Sequence, residues 1–358
     1  MTLLDIPVGT VPYTLTRVGV VMTPEEGNPY EVEGVLNPAS GRGPDGEVYL
    51  LPRLVAAGNV SRIGLARVIV VDGVPVGVER EGIVLAPDRQ WERGVGNAGV
   101  EDPRITWIAE LELFVMTYVA YGPLGPRTAL AVSTDLREWR RLGPVMFAFD
   151  DALDTDLNLF HNKDAVFFPE PVLAPDGVRS FAVLHRPMWD LSETKADQGV
   201  LLPAGITDPR QSIWISYVPV EAVMQDLSAL VLWNQHRFLA GPEYPFEVTK
   251  IGGGPAPVRV PEGWLLLHHG VTGRIEKAFD HQQNVHYAAG ALILDADDPS
   301  IVLARTAVPL LQAETEDERG GIVPNVVFPT AIEEIEGVRY VFYGMADSKI
   351  GVARLDRV

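Results

Sequence analysis

The sequence contains no cysteine, no long apolar run and no excess of basic residues, and each absence removes a class of protein. Without cysteine, disulfides and thiolate metal sites are both unavailable. No segment approaches the run of about 18 apolar residues that a membrane-spanning helix needs. The net charge of −19 and the pI near 4.7 disfavour binding to a nucleic-acid backbone or to an anionic membrane.

The N-terminal residues Met1 to Pro7 have neither a basic start nor an unbroken apolar core, so we expect no signal peptide. Because a membrane span is also missing, we expect a soluble cytoplasmic protein. The adjacent His268 and His269 have no third partner at metal-ligand spacing, so we expect no metal.

Helical periodicity is scarce, and short apolar runs separated by Gly, Pro, Asp and Asn dominate the chain. The 34 glycines and 29 prolines lie along the whole length, which favours an all-β protein over a helical one. Only Val220 to Leu232 is compatible with a short helix or an irregular insertion. Nothing resembles a long linker, so residues 1–358 are predicted to form a single domain.

A degenerate strand motif, a small-residue or isoleucine-rich run after a polar residue, recurs five times. The five copies are Ser61–Arg67, Arg127–Ser133, Gln211–Ser216, Val285–Gly290 and Ser348–Arg354. Successive copies start 66, 84, 74 and 63 residues apart. Each interval has room for about four short strands with their loops, the content of one propeller blade. The repeat predicts a five-bladed β-propeller, with a β-sandwich assembly as the alternative.

The stretch Glu101-Asp102-Pro103-Arg104 places two carboxylates, a proline and an arginine ahead of a strand-like run. Because Pro103 disfavours helical geometry at the residue before it, Asp102 is predicted to be extended and rigidly held. The alternative is a polar turn between strands. Two similar stretches, at 207–210 and 297–299, support that alternative.

Five polar clusters lie beside strand-like runs, where a propeller would bring them to a central funnel. They are Asn37-Pro38 with Arg53, Glu101 to Arg104, His161 to Asp164, His185-Arg186, and Lys250 to Pro257 with His268-His269. Polar side chains next to a buried strand are costly unless they pair or line a cavity. No helix start follows the glycine run after Lys250, which excludes a P-loop or a dinucleotide fingerprint.

These clusters, in this order, resemble glycoside hydrolase family 130, the inverting β-mannoside phosphorylases and related mannosidases. The matching stretches are 37–38, 99–106, 163–170, 185–187, 250–257, 263–271, 292–300, 325–329 and 343–347. The resemblance implies a five-bladed β-propeller, in agreement with the repeat, and it is more specific for the family than for the linkage cleaved. His161 and the stretch Asp151 to Phe160 depart from the family pattern.

The resemblance also implies a role for individual residues. Asp102 would be the general acid, with its proton reaching the glycosidic oxygen through a sugar hydroxyl. The substrate-binding residues would be Asn37, Arg53, Arg104, Lys163, Asp164 and Asp347. The phosphate-binding residues would be Asn162, Arg186, Lys250 and His269, with Lys250 close to the sugar as well. If protonated His269 helps to hold phosphate, affinity should fall as the pH rises through its pKa.

The choice of nucleophile can be argued from the residues themselves. Inversion needs an acid on one face of the sugar and a nucleophile on the other. Water would need a second carboxylate as its base, whereas phosphate arrives charged and needs cations to hold it. An acidic chain that keeps basic residues beside its strands fits phosphate. Nothing in the sequence pairs Asp102 with the candidate bases Glu170, Glu243 and Glu247.

We therefore predict a β-mannoside phosphorylase that converts a β-mannoside and inorganic phosphate into α-mannose 1-phosphate and a shortened acceptor, without a cofactor. The alternatives are a β-mannosidase that uses water on the same fold, and a non-catalytic carbohydrate-binding propeller. The predicted partners are the sugar and phosphate, with neither nucleic acid nor a membrane. The linkage, the acceptor and homo-oligomerisation stay open at this stage.

Overall fold

The computed structural model describes residues 9–191, 197, 199–274 and 284–358, and these form an almost entirely β structure. Met1 to Pro7, where we expect no signal peptide, lie outside the described residues. Within these ranges there are two short α-helices, α1 (Val220–Gln225) and α2 (Glu316–Arg319). A 3-10 turn, Leu227–Val231, follows α1, which confirms the short helix predicted there, whereas α2 was not predicted. Neither helix is long or apolar enough to cross a membrane.

The strands of the described ranges are numbered here in chain order. They are β1 (Tyr13–Met22), β2 (Gly34–Arg42), β3 (Val48–Ala56), β4 (Val60–Val71), β5 (Val74–Leu85), β6 (Ala98–Ile108), β7 (Leu113–Gly122), β8 (Gly125–Ser133), β9 (Arg140–Pro144), β10 (Met146–Phe147), β11 (His161–Phe167), β12 (Val172–Leu173), β13 (Arg179–Met188), β14 (Ile213–Pro219), β15 (Leu232–Ala240), β16 (Lys250–Gly253), β17 (Val258–Val260), β18 (Gly263–Thr272), β19 (His286–Leu294), β20 (Val302–Arg305), β21 (Val327–Ile335), β22 (Val338–Met345) and β23 (Lys349–Arg357).

Most strands form antiparallel runs of four, which we call units 1 to 5. Unit 1 is β2 to β5, unit 2 is β6 to β9, unit 3 is β11, β13, β14 and β15, unit 4 is β16, β18, β19 and β20, and unit 5 is β21, β22, β23 and β1. A short parallel pairing of β4 with β6 joins units 1 and 2 into one eight-stranded sheet. Because β1 pairs with β23, strands from opposite ends of the chain complete unit 5.

All five copies of the strand motif fall on the third strand of a unit, namely β4, β8, β14, β19 and β23. This strand lies between two partners, and its small residues, such as Ala66, Ala131 and Ala353, are fully buried. The motif therefore marks a true structural period of the chain.

Apolar side chains pack between successive units. Separate buried clusters join unit 1 to unit 2, unit 2 to unit 3, unit 3 to unit 4 and unit 4 to unit 5. A further cluster joins unit 5 to unit 1, where Phe342 and Val352 pack with Val35 and Leu50. The order of packing thus returns to its start. Strand β2 contacts both β6 and β21, β6 contacts β11, and β11 contacts β16, so the first strands of the five units lie next to one another in this order.

Candidate active site

Three of the predicted site residues lie on bulges in the first strands of their units. Asn37, Asp102 and Asp164 each sit at a register shift against the second strand. Their φ angles are 42°, 45° and 54°. Asn and Asp tolerate this left-handed region better than most other side chains. Bulges re-aim the side chains they carry and are frequent beside active sites.

The extended conformation predicted for Asp102 is wrong. Its φ of 45° is left-handed although Pro103 follows, because β6 is paired with β7 on both sides of the bulge and this pairing outweighs the local preference. The polar-turn alternative holds instead for the two similar stretches. Arg210 pairs with its neighbour Asp208 at the surface, and Asp298 accepts hydrogen bonds within a turn.

The carboxylate of Asp102 is held at one of its two oxygens. Its Oδ1 accepts hydrogen bonds from Nδ2 of Asn37 at 2.8 Å and from Nη1 of Arg53 at 3.1 Å. Both recorded bonds go to Oδ1, which leaves Oδ2 for a ligand. Burial opposes ionisation, but the cations Arg53, Lys163 and Arg104 hold the pKa of Asp102 below its usual value. The carboxyl is therefore ionised in the free protein at neutral pH.

Arg53 ties Asp102 to the adjacent Glu101. Nη2 of Arg53 donates to Oε1 of Glu101 at 2.8 Å, and Nε donates to the hydroxyl of Ser61 at 2.9 Å. The other oxygen of Glu101 lies 3.4 Å from Nζ of Lys163. The buried Glu101 is thus paired with two cations, and it holds Arg53 and Lys163 beside Asp102.

Asp347 brings the two halves of the predicted site together. It lies in the turn between β22 and β23, with a φ of 50°. Burial raises the pKa of its carboxyl to about 6; Arg53 opposes this rise and the negative Asp102 adds to it. Lys250 also acts on this carboxyl. The charge of Asp347 therefore interacts both with Asp102, the predicted acid, and with Lys250, a predicted phosphate-binding residue.

Arg186, Asp164 and His269 form a buried cluster. Nε of Arg186 donates to Oδ2 of Asp164, and Nη1 donates to the side-chain oxygen of Gln211. Nε2 of His269 lies 3.6 Å from the same oxygen of Asp164. Burial opposes ionisation of Asp164, but the charge of Arg186 keeps its pKa far below the usual range. With 2% of its side chain exposed, Asp164 is a counter-ion of Arg186.

Lys250 is the cation of the site that titrates near neutral pH. Its Nζ lies 5.4 Å from the centre of the Tyr287 ring. Burial, together with the nearby Arg186, lowers the pKa of the Lys250 ammonium to about 7. Burial also lowers the pKa of His269 well below 6.5, so this imidazole is neutral at pH 7. The pH dependence expected of a protonated His269 therefore does not apply to the free protein, and its place at the phosphate site stays a prediction.

The glycines after Lys250 serve close packing. A Cβ at Gly252 would collide with the carboxylate of Asp164 and the imidazole of His269. The carbonyl oxygen of Gly254 accepts a hydrogen bond from Nε of Arg104 at 3.0 Å. Arg104 is 1% exposed, and its Nη2 has no partner within the described part of the chain. Such a buried orphan donor calls for an acceptor that a ligand would bring.

Three residues at or near the start of the motif copies contact the site and were not predicted. Ser61 and Gln211 accept hydrogen bonds from the two arginines described above, and Tyr287 stacks on His269 with ring centres 5.8 Å apart. The repeated strand motif could have identified them, because it marks the third strand of each unit. Polar or aromatic residues at the start of those strands are candidates for the site.

The remaining candidates from the sequence are occupied elsewhere. Glu170 pairs with Arg259, and Glu243 and Glu247 both pair with Arg305. Nε2 of His161 lies 3.1 Å from a backbone carbonyl oxygen. Among the residues that the structure describes, no group of three or more His, Asp or Glu side chains could hold a metal ion.

A cavity of about 390 Å³ adjoins this site. Its walls include the aromatic Phe246 and Tyr287, the apolar Val308 and the polar Gln312. Because Tyr287 also contacts His269, the cavity and the cationic cluster share one wall. Aromatic rings with a few polar groups are a common lining of small-molecule sites.

Comparison with known proteins identifies relatives of this arrangement. The family model of glycoside hydrolase family 130, described as beta-1,4-mannooligosaccharide phosphorylase, matches residues 47–358. A 1,2-beta-oligomannan phosphorylase of Thermoanaerobacter sp. (strain X514) is 30% identical over 72% of this chain and 68% of its own length. A beta-1,2-mannobiose phosphorylase of the same strain is 32% identical over 72% of this chain and 67% of its own length.

One solved structure resembles the whole fold. It is described as belonging to the GH130 family of mannoside phosphorylases, which contains glycoside hydrolases that target beta-1,2 mannosidic linkages in Candida mannan. It superposes with a TM-score of 0.70 and 24% identity over 99% of this chain and 95% of its own. At this identity, the likeness concerns the fold.

Proposed function

The chain belongs to glycoside hydrolase family 130, and from this premise we propose that it is an inverting β-mannoside phosphorylase. It transfers the mannosyl group of a β-mannoside to inorganic phosphate and forms α-mannose 1-phosphate and a shortened acceptor, with no metal or other cofactor. One observation carries the proposal: a chain of net charge −19 gathers the buried Arg104 and Arg186 and the half-buried Lys250 around one site.

The five units form the blades of a β-propeller that is a single domain. The four-stranded antiparallel units, the ring of packing from unit 5 back to unit 1, and the contacts between first strands support this arrangement. The third-strand motif supports it independently. The site residues come from the first strands (Asn37, Asp102, Lys250), the second strands (Arg53, Arg186, His269) and the turn after β22 (Asp347). All five units thus contribute to one site, as expected near the axis of such a fold.

Asp102 acts as the general acid. Its pKa is held low by cations in the free protein, so its proton has to be acquired when the substrates bind. A phosphate anion offsets the charge of the cations around it, and this raises the pKa of Asp102 towards the protonated form that an acid needs. Asn37 and Arg53 keep Oδ1 in place, so Oδ2 is the oxygen that presents the proton to the sugar.

Phosphate is the nucleophile. Arg186 and Lys250 supply charge-assisted hydrogen bonds, which are stronger than neutral ones. Arg104 supplies the Nη2 that has no partner in the described structure. Neutral His269 contributes a ring nitrogen and no charge. None of the three candidate bases considered in the sequence lies against Asp102, because arginines outside the site hold them.

A β-mannosidase is the second candidate, and Asp347 favours it. Its carboxyl has a pKa of about 6 and shares the field of Asp102, so it could take a proton from water. The synthetic reaction separates the two functions. A phosphorylase given α-mannose 1-phosphate and mannose should form a β-linked mannobiose and release phosphate, whereas a hydrolase should not. The linkage of that product, measured by NMR, also decides between β-1,2 and β-1,4 substrates.

The acceptor binds in the cavity beside Tyr287. Sugars pack their apolar faces on aromatic rings, and Phe246 and Tyr287 supply two. The shared wall at Tyr287 places the acceptor next to the phosphate ligands. Related phosphorylases are described for both β-1,2 and β-1,4 substrates, so the linkage is determined by the product of the synthetic reaction.

Phosphate affinity should fall as the pH rises through about 7, because the half-buried Lys250 has a pKa of about 7 and loses its charge there. The measurement is the KM for phosphate on both sides of pH 7. Lys250→Arg is the matched control, since a guanidinium stays charged throughout this range. Phosphate itself titrates equally in both enzymes. Identical pH profiles for wild type and Lys250→Arg would contradict the assignment of this titration to Lys250.

A further inference from the structure

Four of the five units share a buried glutamate in the turn before their first strand. These residues are Glu31, Glu92, Glu247 and Glu318, each at most 1% exposed. Each accepts a hydrogen bond from a backbone N–H of its own turn. Each also pairs with an arginine of the fourth strand, namely Arg80, Arg141, Arg305 and Arg17. In units 2, 4 and 5 a side chain of the second strand also forms a hydrogen bond with the glutamate carboxylate. These side chains are Tyr118, His268 and Tyr343.

Unit 3 has no glutamate in the corresponding turn, and a chain of hydrogen bonds takes its place. Nδ2 of Asn162 lies 2.9 Å from Nδ1 of His185, whose Nε2 lies 2.8 Å from the hydroxyl of Ser216. That hydroxyl lies 2.8 Å from Nδ1 of His236, whose Nε2 lies 2.9 Å from the carbonyl oxygen of Ala148. All four side chains are at most 1% exposed. His185 and His236 lie on the second and fourth strands, as the partners of the glutamates do.

The carbonyl group at the far end fixes the direction of every bond in this chain. The oxygen of Ala148 only accepts, so Nε2 of His236 carries the proton and its Nδ1 accepts from Ser216. Ser216 then has to accept from Nε2–H of His185, and Nδ1 of His185 accepts from the amide of Asn162. Burial lowers the pKa of both histidines, which keeps them neutral. The amide of Asn162 is thereby left with a single orientation.

We propose that His185, Ser216 and His236 are positioning residues that orient the amide of Asn162 for phosphate. This rests on the proposed function. Asn162 is the neighbour of Lys163, which pairs across the sheet with Arg186, so the amide lies beside the phosphate cluster. Its Oδ1 is buried without a partner in the described part of the chain, and one N–H of the amide remains free. The free donor suits a phosphate oxygen, and the free acceptor suits a phosphate hydroxyl.

The hydrogen-bonded side chains of His185, Ser216 and His236 carry no charge, which is compatible with a phosphate anion bound beside Asn162. A glutamate like those of the other units would put a negative charge next to the anion and repel it. Without the chain, the amide of Asn162 could flip and exchange the positions of its nitrogen and oxygen. The amide oxygen would then face a phosphate oxygen, and neither atom donates a hydrogen bond. The histidine and serine side chains supply orientation and add no charge.

The test is Ser216→Ala, which interrupts the chain with a small change in volume. We expect the KM for phosphate to rise by about 3- to 10-fold, the effect of one misplaced hydrogen bond, with the KM for the β-mannoside unchanged. Ser216→Thr keeps a hydroxyl and should keep the wild-type KM for phosphate. Ser180→Ala is the matched control, because within the described ranges its buried hydroxyl donates a hydrogen bond to the carbonyl oxygen of Val178 alone. Equal rises in both KM values, or no rise for phosphate, would overturn the positioning role.

Side-chain ¹⁵N NMR of the wild-type protein tests the chain without any activity. His185 and His236 should both be neutral with the proton on Nε2, and an Nδ1–H tautomer of either would overturn the proposal. If the wild-type enzyme uses no phosphate, the proposed function fails. If it uses phosphate and Ser216→Ala leaves the KM for phosphate unchanged, the positioning role fails while the proposed function stands.

Discussion

Replacing Asp102 with asparagine should lower turnover by about 10²–10⁴-fold, the usual contribution of general acid catalysis. Asparagine removes the transferable proton but has nearly the same shape. It also tolerates the left-handed backbone that this position requires. Its side-chain oxygen can still accept from Asn37 and Arg53, so the fold and mannoside binding should persist. The measurements are kcat, the KM for the mannoside and the thermal midpoint.

The control for this variant is Asp208→Asn. Asp208 lies in a similar Asp-Pro-Arg stretch, but there the carboxylate pairs with Arg210 at the surface. This control should keep wild-type turnover. If folded Asp102→Asn protein turns over near the wild-type rate, another group donates the proton and the assignment fails.

Replacing Lys250 with methionine should raise the KM for phosphate by about 10- to 100-fold. A charge-assisted hydrogen bond contributes roughly 1.5–3 kcal/mol, and about 1.4 kcal/mol corresponds to tenfold. The KM for the mannoside should rise too, but less, because Lys250 also acts on Asp347. No salt bridge of Lys250 is recorded in the described structure, so its removal leaves no buried carboxylate unpaired.

The control for Lys250→Met is Lys349→Met. Lys349 is the first residue of a third strand and pairs with Asp317, a partly exposed carboxylate. Its loss should leave both KM values unchanged. Arg186→Ala is a less clean test, because it also leaves Asp164 buried without its partner, which costs about 3–5 kcal/mol of stability. A KM for phosphate that does not change in Lys250→Met would remove Lys250 from the phosphate site.

The sequence predicted the periodicity of the fold better than the local geometry of the site. The strand motif marked the third strand of all five units, since this position demands small or β-branched side chains in each of them. A second recurring feature carried no clear signal in the sequence, because the glutamate–arginine pairs are unevenly spaced. Glu31 and Arg80 are 49 residues apart, whereas Glu247 and Arg305 are 58 apart. These pairs lie on different strands of one unit, so their contact emerges only once the unit is folded.

The features of the site that the sequence did not predict share a physical cause. The preference of a residue before proline is local, and strand pairing around the bulge overrode it at Asp102. The protonation of His269 depends on burial, which a sequence does not specify. The contact of Gln211 with Arg186 joins residues on neighbouring strands. Residue types were therefore predictable, whereas conformations, charge states and partners depend on the tertiary fold.

The most direct test of the central claim is the rate of β-mannobiose cleavage by the wild-type enzyme as the phosphate concentration is varied. The account predicts that cleavage vanishes without phosphate and saturates as phosphate is added. It also predicts one α-mannose 1-phosphate for each mannose released as acceptor. Release of free mannose at the same rate without phosphate, with no mannose 1-phosphate formed at any phosphate concentration, would contradict it and identify the enzyme as a hydrolase.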